Sequence, residues 1–359
     1  MPHRFVILLA AFSILNCDGQ AAKPTQRIPA VPAGSEAIDR AVERGVGFLI
    51  SRLSPTGAII DANGGPRFAN TFTGLSFLAL VSAGHEPADP TPEGFALRMS
   101  EDFLLRDDGV GSSRYPVHTQ SSNIFEHSIT FIALGELTRF GQSREKRALA
   151  SQRFQVSVNF ISQLRRRKPW GTAVDNKQAV TTFLCLGGWQ SVGLVMFEDF
   201  GLGSRRAAID SIIDVYEARA VFIESIEYPR PHGSGPSEAA AALLAMKLRG
   251  VKPRKAYAQA RTSVSRGALY FHNSGDVMMA WLATLEARPP LGGTPFQQES
   301  LNLLRQQNAK GDWSPKSFYR NTLRQVYAPW AGPVYATASS VLALTAADRR
   351  LEFLQQKRR

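Results

Sequence analysis

The sequence predicts an all-α protein, a closed ring of about six helix pairs behind an N-terminal leader. Three observations predict it. Six segments end in a similar run of small and aliphatic residues, closing at Leu80, Leu134, Phe197, Met246, Leu285 and Leu344, a mean step of about 53 residues. A period in this range marks a repeat architecture. Each run follows a more amphipathic stretch, and neither a period-2 strand pattern nor a Gly-rich phosphate loop stands out.

The leader comes first. Met1-Pro2-His3-Arg4 is a short basic start, and residues 5–15 are apolar apart from Ser13. That run is too short to anchor stably in a bilayer and fits the core of a signal peptide spanning 1–21, with Gly19-x-Ala21 as the cleavage site. Ile14-Leu15-Asn16-Cys17 is similar to the lipobox of bacterial lipoproteins, although Asn16 stands where a small residue is expected. Cleavage, an uncleaved anchor and lipidation at Cys17 stay open, beside the blander alternative of a segment that is not exported. Export is the expectation. Residues 22–34, with Pro24, Pro29 and Pro32, read as a linker, and 354–359 as a basic tail.

Between them, 35–353 carry the helix pairs. In 37–49 and 205–216 the apolar residues fall on one side; Ile209, Ile212, Ile213 and Tyr216 follow i, i+3, i+4, i+7. Such helices bury one face. The runs that follow, such as Thr73-Gly74-Leu75-Ser76-Phe77-Leu78-Ala79-Leu80, are apolar nearly all round and must be inner. One-side-buried helices alternating with buried ones give an outer ring around an inner ring. The fifth unit is the weakest, its first helix (257–270) being poorly patterned. An open or five-pair arc is the competing arrangement.

Composition narrows the partners. The chain has two cysteines, so once Cys17 is removed or lipidated Cys185 has no intramolecular partner and no disulfide framework forms. Net charge is +12, from 42 Lys and Arg against 30 Asp and Glu. The densest basic runs are Arg165-Arg166-Arg167-Lys168 and Lys357-Arg358-Arg359. They read first as solvated helix ends, and second as contacts to an anionic surface. They lack interleaved aromatics and match no nucleic-acid motif, so no nucleic-acid partner is expected.

Gln307-Asn308-Ala309-Lys310-Gly311-Asp312-Trp313 matches the QW motif, Gln-x-x-x-Gly-x-Trp. With the six phased units it makes 35–353 resemble the prenyltransferase and squalene–hopene cyclase repeat superfamily, in its exported bacterial branch. The resemblance implies the fold of that superfamily, the α/α toroid of about twelve helices. In the motif Gln307 bonds exposed backbone at a helix end, Gly311 permits a tight turn, and Trp313 stacks on the Gln amide and seals the gap between units. Gly57 in Ser54-Pro55-Thr56-Gly57 and Gln163 before Trp170-Gly171 are degenerate copies. Phe125-Glu126-His127 and Gly188-Trp189-Gln190 are similar to inner-helix entries of exported members.

The resemblance does not extend to the chemistry. Squalene cyclases use an Asp-x-Asp-Asp acid, and the nearest acidic pair here, Asp107-Asp108, reads as a loop turn. Protein prenyltransferases hold zinc with an Asp two residues before a Cys; Phe183 stands there relative to Cys185. The thioester Cys-Gly-Glu-Gln of complement-like relatives is absent from Gly187-Gly188-Trp189-Gln190. His85, His118, His232 and His272 show no ligand spacing, so no metal and no cofactor is predicted.

Aligning the six runs on their last residues brings Phe72/Thr73, Glu126/His127, Trp189/Gln190, Glu238/Ala239, Val277/Met278 and Ala336/Thr337 to one level, with Asp276 and Tyr335 one residue earlier. In a toroid that level opens on one mouth of the central cavity, the usual place for a site. Glu126, His127 and Asp276 are the candidate catalytic residues, since a buried carboxylate can tune a His for acid–base work. Trp189, Gln190, Glu238 and Tyr335 are the candidate cavity residues. Their plain alternative is helix capping and inter-helix bonding, as Ser237-Glu238 at a helix start illustrates. The long connections 106–122 and 314–333 read as loops over the toroid, the second carrying Lys316, Arg320 and Arg324 among Tyr319, Tyr327 and Trp330, a set suited to a carbohydrate or anionic ligand.

The expectation is therefore an exported, non-catalytic toroid that binds a ligand or partner protein at its mouth. The alternatives are a terpene-cyclase-like enzyme with a non-standard acid, and an exported carbohydrate-active enzyme on an α/α barrel with two carboxylates facing across the mouth.

Overall fold

The apolar runs ending at Leu80, Leu134, Phe197, Met246 and Leu344 lie in helices, and their described residues are buried on every side. The computed structural model describes residues 35–61, 68–112, 121–167, 177–224, 235–250, 277, 281, 294–314, 332–346 and 350–355. Contacts divide the chain into Met1–Pro32 and Ala33–Arg359, and every described residue lies in the second unit. The fold is all-α. Its helices are α1 (Ser35–Ile50), α2 (Ala69–Ser82), α3 (Pro92–Leu104), α4 (Ser121–Phe140), α5 (Arg144–Arg167), α6 (Lys177–Asp199), α7 (Arg206–Glu224), α8 (Gly235–Arg249), α9 (Thr294–Gln306) and α10 (Pro333–Leu344). A 3-10 turn follows at Glu352–Leu354. Val277 and Trp281 are helical too.

Odd and even helices differ as the patterning predicts. All of α2 and the Val334–Leu344 stretch of α10 are buried. In α7 the stripe Ile209, Ile212, Ile213 and Tyr216 is buried while Asp214 faces solvent. Burial of such a stripe, not intrinsic propensity, holds these helices. A local cap sets the start of α3: Thr91 Oγ1 accepts from Gly94 N at 3.2 Å, with Pro92 in the first turn.

The even helices pack in sequence, α2 on α4, α4 on α6 and α6 on α8, and α10 packs on α2. Missing side chains permit the close approach. A Cβ on Gly74 would stand 3.3 Å from the Thr130 backbone, and one on Gly193 would run into the Phe131 ring. Odd helices lie against them: α1 on α10 and α2, α3 on α2, α5 on α4, α7 on α8 and α6.

One joint recurs between odd helices. Gly57, Gly111 and Gly311 have φ of 84°, 81° and 88°, a left-handed conformation that favours glycine. A Cβ on them would collide with the carbonyl oxygens of Met99 in α3, Arg153 in α5 and Arg44 in α1, respectively. The joint after α1 therefore seats on α3, the one after α3 on α5, and the one after α9 on α1. Two joints share more detail. Leu53 bridges Ile59, and Gln307 bridges Trp313. Ile59 N donates to Thr73 Oγ1, and Trp313 N donates to Thr337 Oγ1, both at 3.1 Å.

At the last joint Gln307 Nε2 donates to Ala41 O (2.7 Å) and Gly311 O (2.9 Å), while Gln307 Oε1 accepts from Arg44 Nε (3.1 Å). Trp313 Nε1 donates to Leu303 O at 2.8 Å, and its ring covers Gly45 of α1, 3.0 Å from where a Cβ would be.

The loop expected at 106–122 is shorter than that, because Ser121 and Ser122 already belong to α4. The leader, Cys17, the helix at 257–270, Trp170-Gly171, the loop 315–331 and the basic run 357–359 lie outside the described residues. Among the described residues no helix is long and apolar enough to cross a membrane.

Candidate functional site

The described residues at the level shared by the even helices are packed. Phe72, Thr73, Glu126, His127, Trp189, Gln190, Tyr335, Ala336 and Thr337 are each at most 6% exposed. Phe72 and Tyr335 meet edge to face at 6.5 Å, joining α2 to α10. Asn70 Nδ2 in α2 donates to Glu126 Oε1 in α4. Gln190 Nε2 in α6 donates to Ser128 Oγ in α4 at 2.8 Å. The polar groups here thus tie neighbouring helices together.

His127 is 1% exposed, and its ring lies 4.5 Å from that of Phe160 in α5. Burial lowers its pKa to about 4. It is therefore neutral at physiological pH, the opposite of the carboxylate-raised histidine expected for acid–base work. The same level holds Thr73 and Thr337, whose hydroxyls each receive a loop amide. His127 stands 54 residues beyond Thr73, the spacing that separates Gly57 from Gly111 and Met99 from Arg153. It occupies the equivalent repeat position in the second unit.

Trp189 and Gln190 do not stand at a helix entry. The helix runs from Lys177 through Gly187 and Gly188, so both lie in mid-helix. Gly187 is a packing glycine rather than a start signal: a Cβ there would stand 3.0 Å from Ile212 Cγ2 and collide with the Tyr216 hydroxyl of α7. Trp189 meets Trp281 edge to face at 5.1 Å, and Trp281 meets Phe353 at 4.7 Å. All three are fully buried. α8 already begins at Gly235, so Ser237 lies inside the helix and is not its cap; Glu238 falls in the first turn, and its side chain lies outside the described residues, as does Asp276.

Among the described residues, Asp61, Glu101 and Glu136 are buried carboxylates that escaped sequence reasoning. Asp61, 4% exposed, follows the first joint and caps α10 from outside, its Oδ1 accepting from Val334 N at 2.9 Å. Burial pushes its pKa up, against the amides of Val334 and Tyr335 and the attraction of Arg52. Nothing periodic in the sequence marks it. Glu101 accepts from Gln142 N at 3.1 Å and pairs with Lys146 Nζ at 3.6 Å, bracing the turn before α5. Burial also raises its pKa. Its signal was readable: Ala96, Leu97, Ser100, Glu101 and Leu104 form one buried stripe of α3.

A hollow of about 390 Å³ lies elsewhere, between the turn carrying Asp107, Gly111 and Ser112 and the α5 residues Gln152, Arg153 and Val156. Arg153 Nη1 in its wall donates to Leu104 O (3.2 Å) and Arg106 O (2.6 Å), closing the end of α3. Asp107-Asp108 is the loop turn that the sequence predicts, with Asp108 2.6 Å from Arg106 Nε. No group of His, Cys, Asp and Glu suited to a metal ion occurs among the described residues.

Comparison with known proteins adds no relative: no family model, no curated protein and no solved structure matches the chain.

Proposed function

We propose that the chain is an α/α toroid of the prenyltransferase and squalene-cyclase repeat type, exported, which works as a non-catalytic binding or scaffold protein. For the ring, the support is that α10 packs on α2 and that the joint of Gly311 on Arg44 repeats that of Gly57 on Met99. For export, the support is the apolar leader 5–15.

The observation that carries the functional reading is the filled inner level. A side chain lining a substrate-sized cavity keeps exposed area toward it. Here Trp189, Gln190, Thr73 and Thr337 have none, and Trp281 meets Trp189 and Phe353 edge to face in the interior. Trp189 belongs to the third even helix and Trp281 to the fifth apolar run, so their contact spans α8 between them. A terpene-cyclizing enzyme needs that space empty and a strong acid beside it. A neutral His127 and a Glu126 held by Asn70 supply neither. Binding then falls to the outer surface and the two ends of the ring.

The test is incubation of the purified protein with squalene, and separately with neutral and acidic oligosaccharides, with products followed by mass spectrometry. No turnover is expected. Turnover that disappears in Glu126→Gln would overturn the reading.

A further inference from the structure

The joint after α3 leaves open a contact that the joint after α9 closes. Gly111 rests on the carbonyl oxygen of Arg153, and Gly311 on that of Arg44. Four residues before these glycines stand Asp107 and Gln307. At the later joint the two side chains touch, Gln307 Oε1 accepting from Arg44 Nε at 3.1 Å. At the earlier one Arg153 turns to the end of α3, its Nη1 donating to Leu104 O and Arg106 O. Among the described residues no ion pair joins Arg153 to Asp107 or to any other carboxylate. Both side chains line the hollow of about 390 Å³.

The wall of that hollow carries three kinds of group. Arg153 is 5% exposed. Burial lowers its pKa, and the more distant charges of Asp107 and Asp108 act the other way. A guanidinium keeps its proton even so, and a buried charge with no anion beside it is costly. Asp107 is exposed on the opposite part of the lining. Ser112 Oγ, also in the lining, is buried without a hydrogen-bond partner among the described residues, as is Ser157 Oγ beneath Gly111. The rest is apolar: Leu149 is half-buried, and Val156, at 45%, is one of two large exposed hydrophobics among the described residues.

We infer that this hollow on the outer face of α5 binds a free amino acid with an aliphatic side chain. Its carboxylate goes to Arg153 and Ser112, its ammonium to Asp107, and its hydrocarbon to Leu149 and Val156. Opposite charges held apart in one lining select a ligand that carries both, and a carboxylate supplies the anion that Arg153 lacks. The volume is that of a small-molecule site. The inference rests on the binding reading above and does not need the ring to be closed.

The test is calorimetric titration of the full chain with L-leucine. One site is expected. 4-Methylpentanoate lacks the ammonium and 3-methylbutylamine lacks the carboxylate; each is expected to bind at least about tenfold more weakly. Asp107→Asn, a change at an exposed position, loses a similar factor for L-leucine and none for 4-methylpentanoate. Gln152→Trp, also at an exposed position of the lining, fills the hollow and abolishes binding. No binding of L-leucine by the wild type, equal binding of 4-methylpentanoate, or full L-leucine affinity in both variants overturns the site. Turnover of squalene or an oligosaccharide with L-leucine binding intact overturns the non-catalytic reading instead.

Discussion

Gln307 Nε2 donates to the main-chain oxygen of Ala41 at 2.7 Å, across 266 residues of chain. The bond ties the end of α9 to the middle of α1, beside Gly311, whose missing side chain lets the turn rest on the Arg44 carbonyl. Gly311→Ala therefore meets both a left-handed φ and a backbone collision, as does Gly57→Ala. Each is expected to destabilise by about 2 kcal/mol or more. Gly201, with φ 70° and open space around it, is the control and loses about 1 kcal/mol as Ala. Urea unfolding of the three variants checks the order.

Thr73 and Thr337 receive equivalent loop amides. Replacing either with Val keeps shape but leaves a buried N–H unmade, at a cost of about 1–3 kcal/mol. The two losses are expected to agree within about 0.5 kcal/mol, since the joints are copies. Equilibrium unfolding of Thr73→Val and Thr337→Val measures both.

Those joints mark how far the sequence could be read. Gly311 and Trp313 were legible because the motif has a fixed spacing, and Gly57 because its turn copies it. The all-α class and the buried character of α2 and α10 followed from runs with no polar face. Position within a helix was harder to read. Gly187-Gly188 resembles a break, yet the helix runs through it because Ile212 and Tyr216 need the space. The pairing of Glu126 with His127 looked reactive because both are titratable. What neutralises His127 is its burial beside Phe160, which depends on the packing of α5 against α4. Asp61 was invisible because it caps a helix 273 residues away.

His127 also gives a pH dependence with a definite sign. Its folded pKa of about 4 lies below the ordinary 6.5. The unfolded chain therefore takes the proton first, and stability present above pH 6.5 is lost as pH falls toward 4. The slope approaches about 1.4 kcal/mol per pH unit. His127→Thr, which places in this slot the residue found at 73 and 337, is expected to fold and to remove that slope. Denaturant midpoints from pH 7 to 4 for wild type and variant provide the comparison.

Asp61 acts with the opposite sign. Its raised pKa means that the folded state takes the proton first, so its contribution is present at low pH and lost as pH rises through the folded value. Asp61→Asn keeps an acceptor for Val334 N and sheds the buried charge; it is expected to match or exceed wild-type stability at pH 7. Asp61→Ala removes the cap and loses about 1 kcal/mol. Thermal melts at pH 7 separate the two.

The account stands most directly on closure between α9 and α1. Spin labels at Arg40 in α1 and Phe95 in α3 define the spacing of one joint; labels at Arg40 and Thr294 in α9 define the other. Pulsed electron resonance is expected to give the same short, narrow distance for both pairs, because the same joint sets both. A distance between Arg40 and Thr294 roughly twice that between Arg40 and Phe95, or a broad distribution, would contradict the closed ring proposed above.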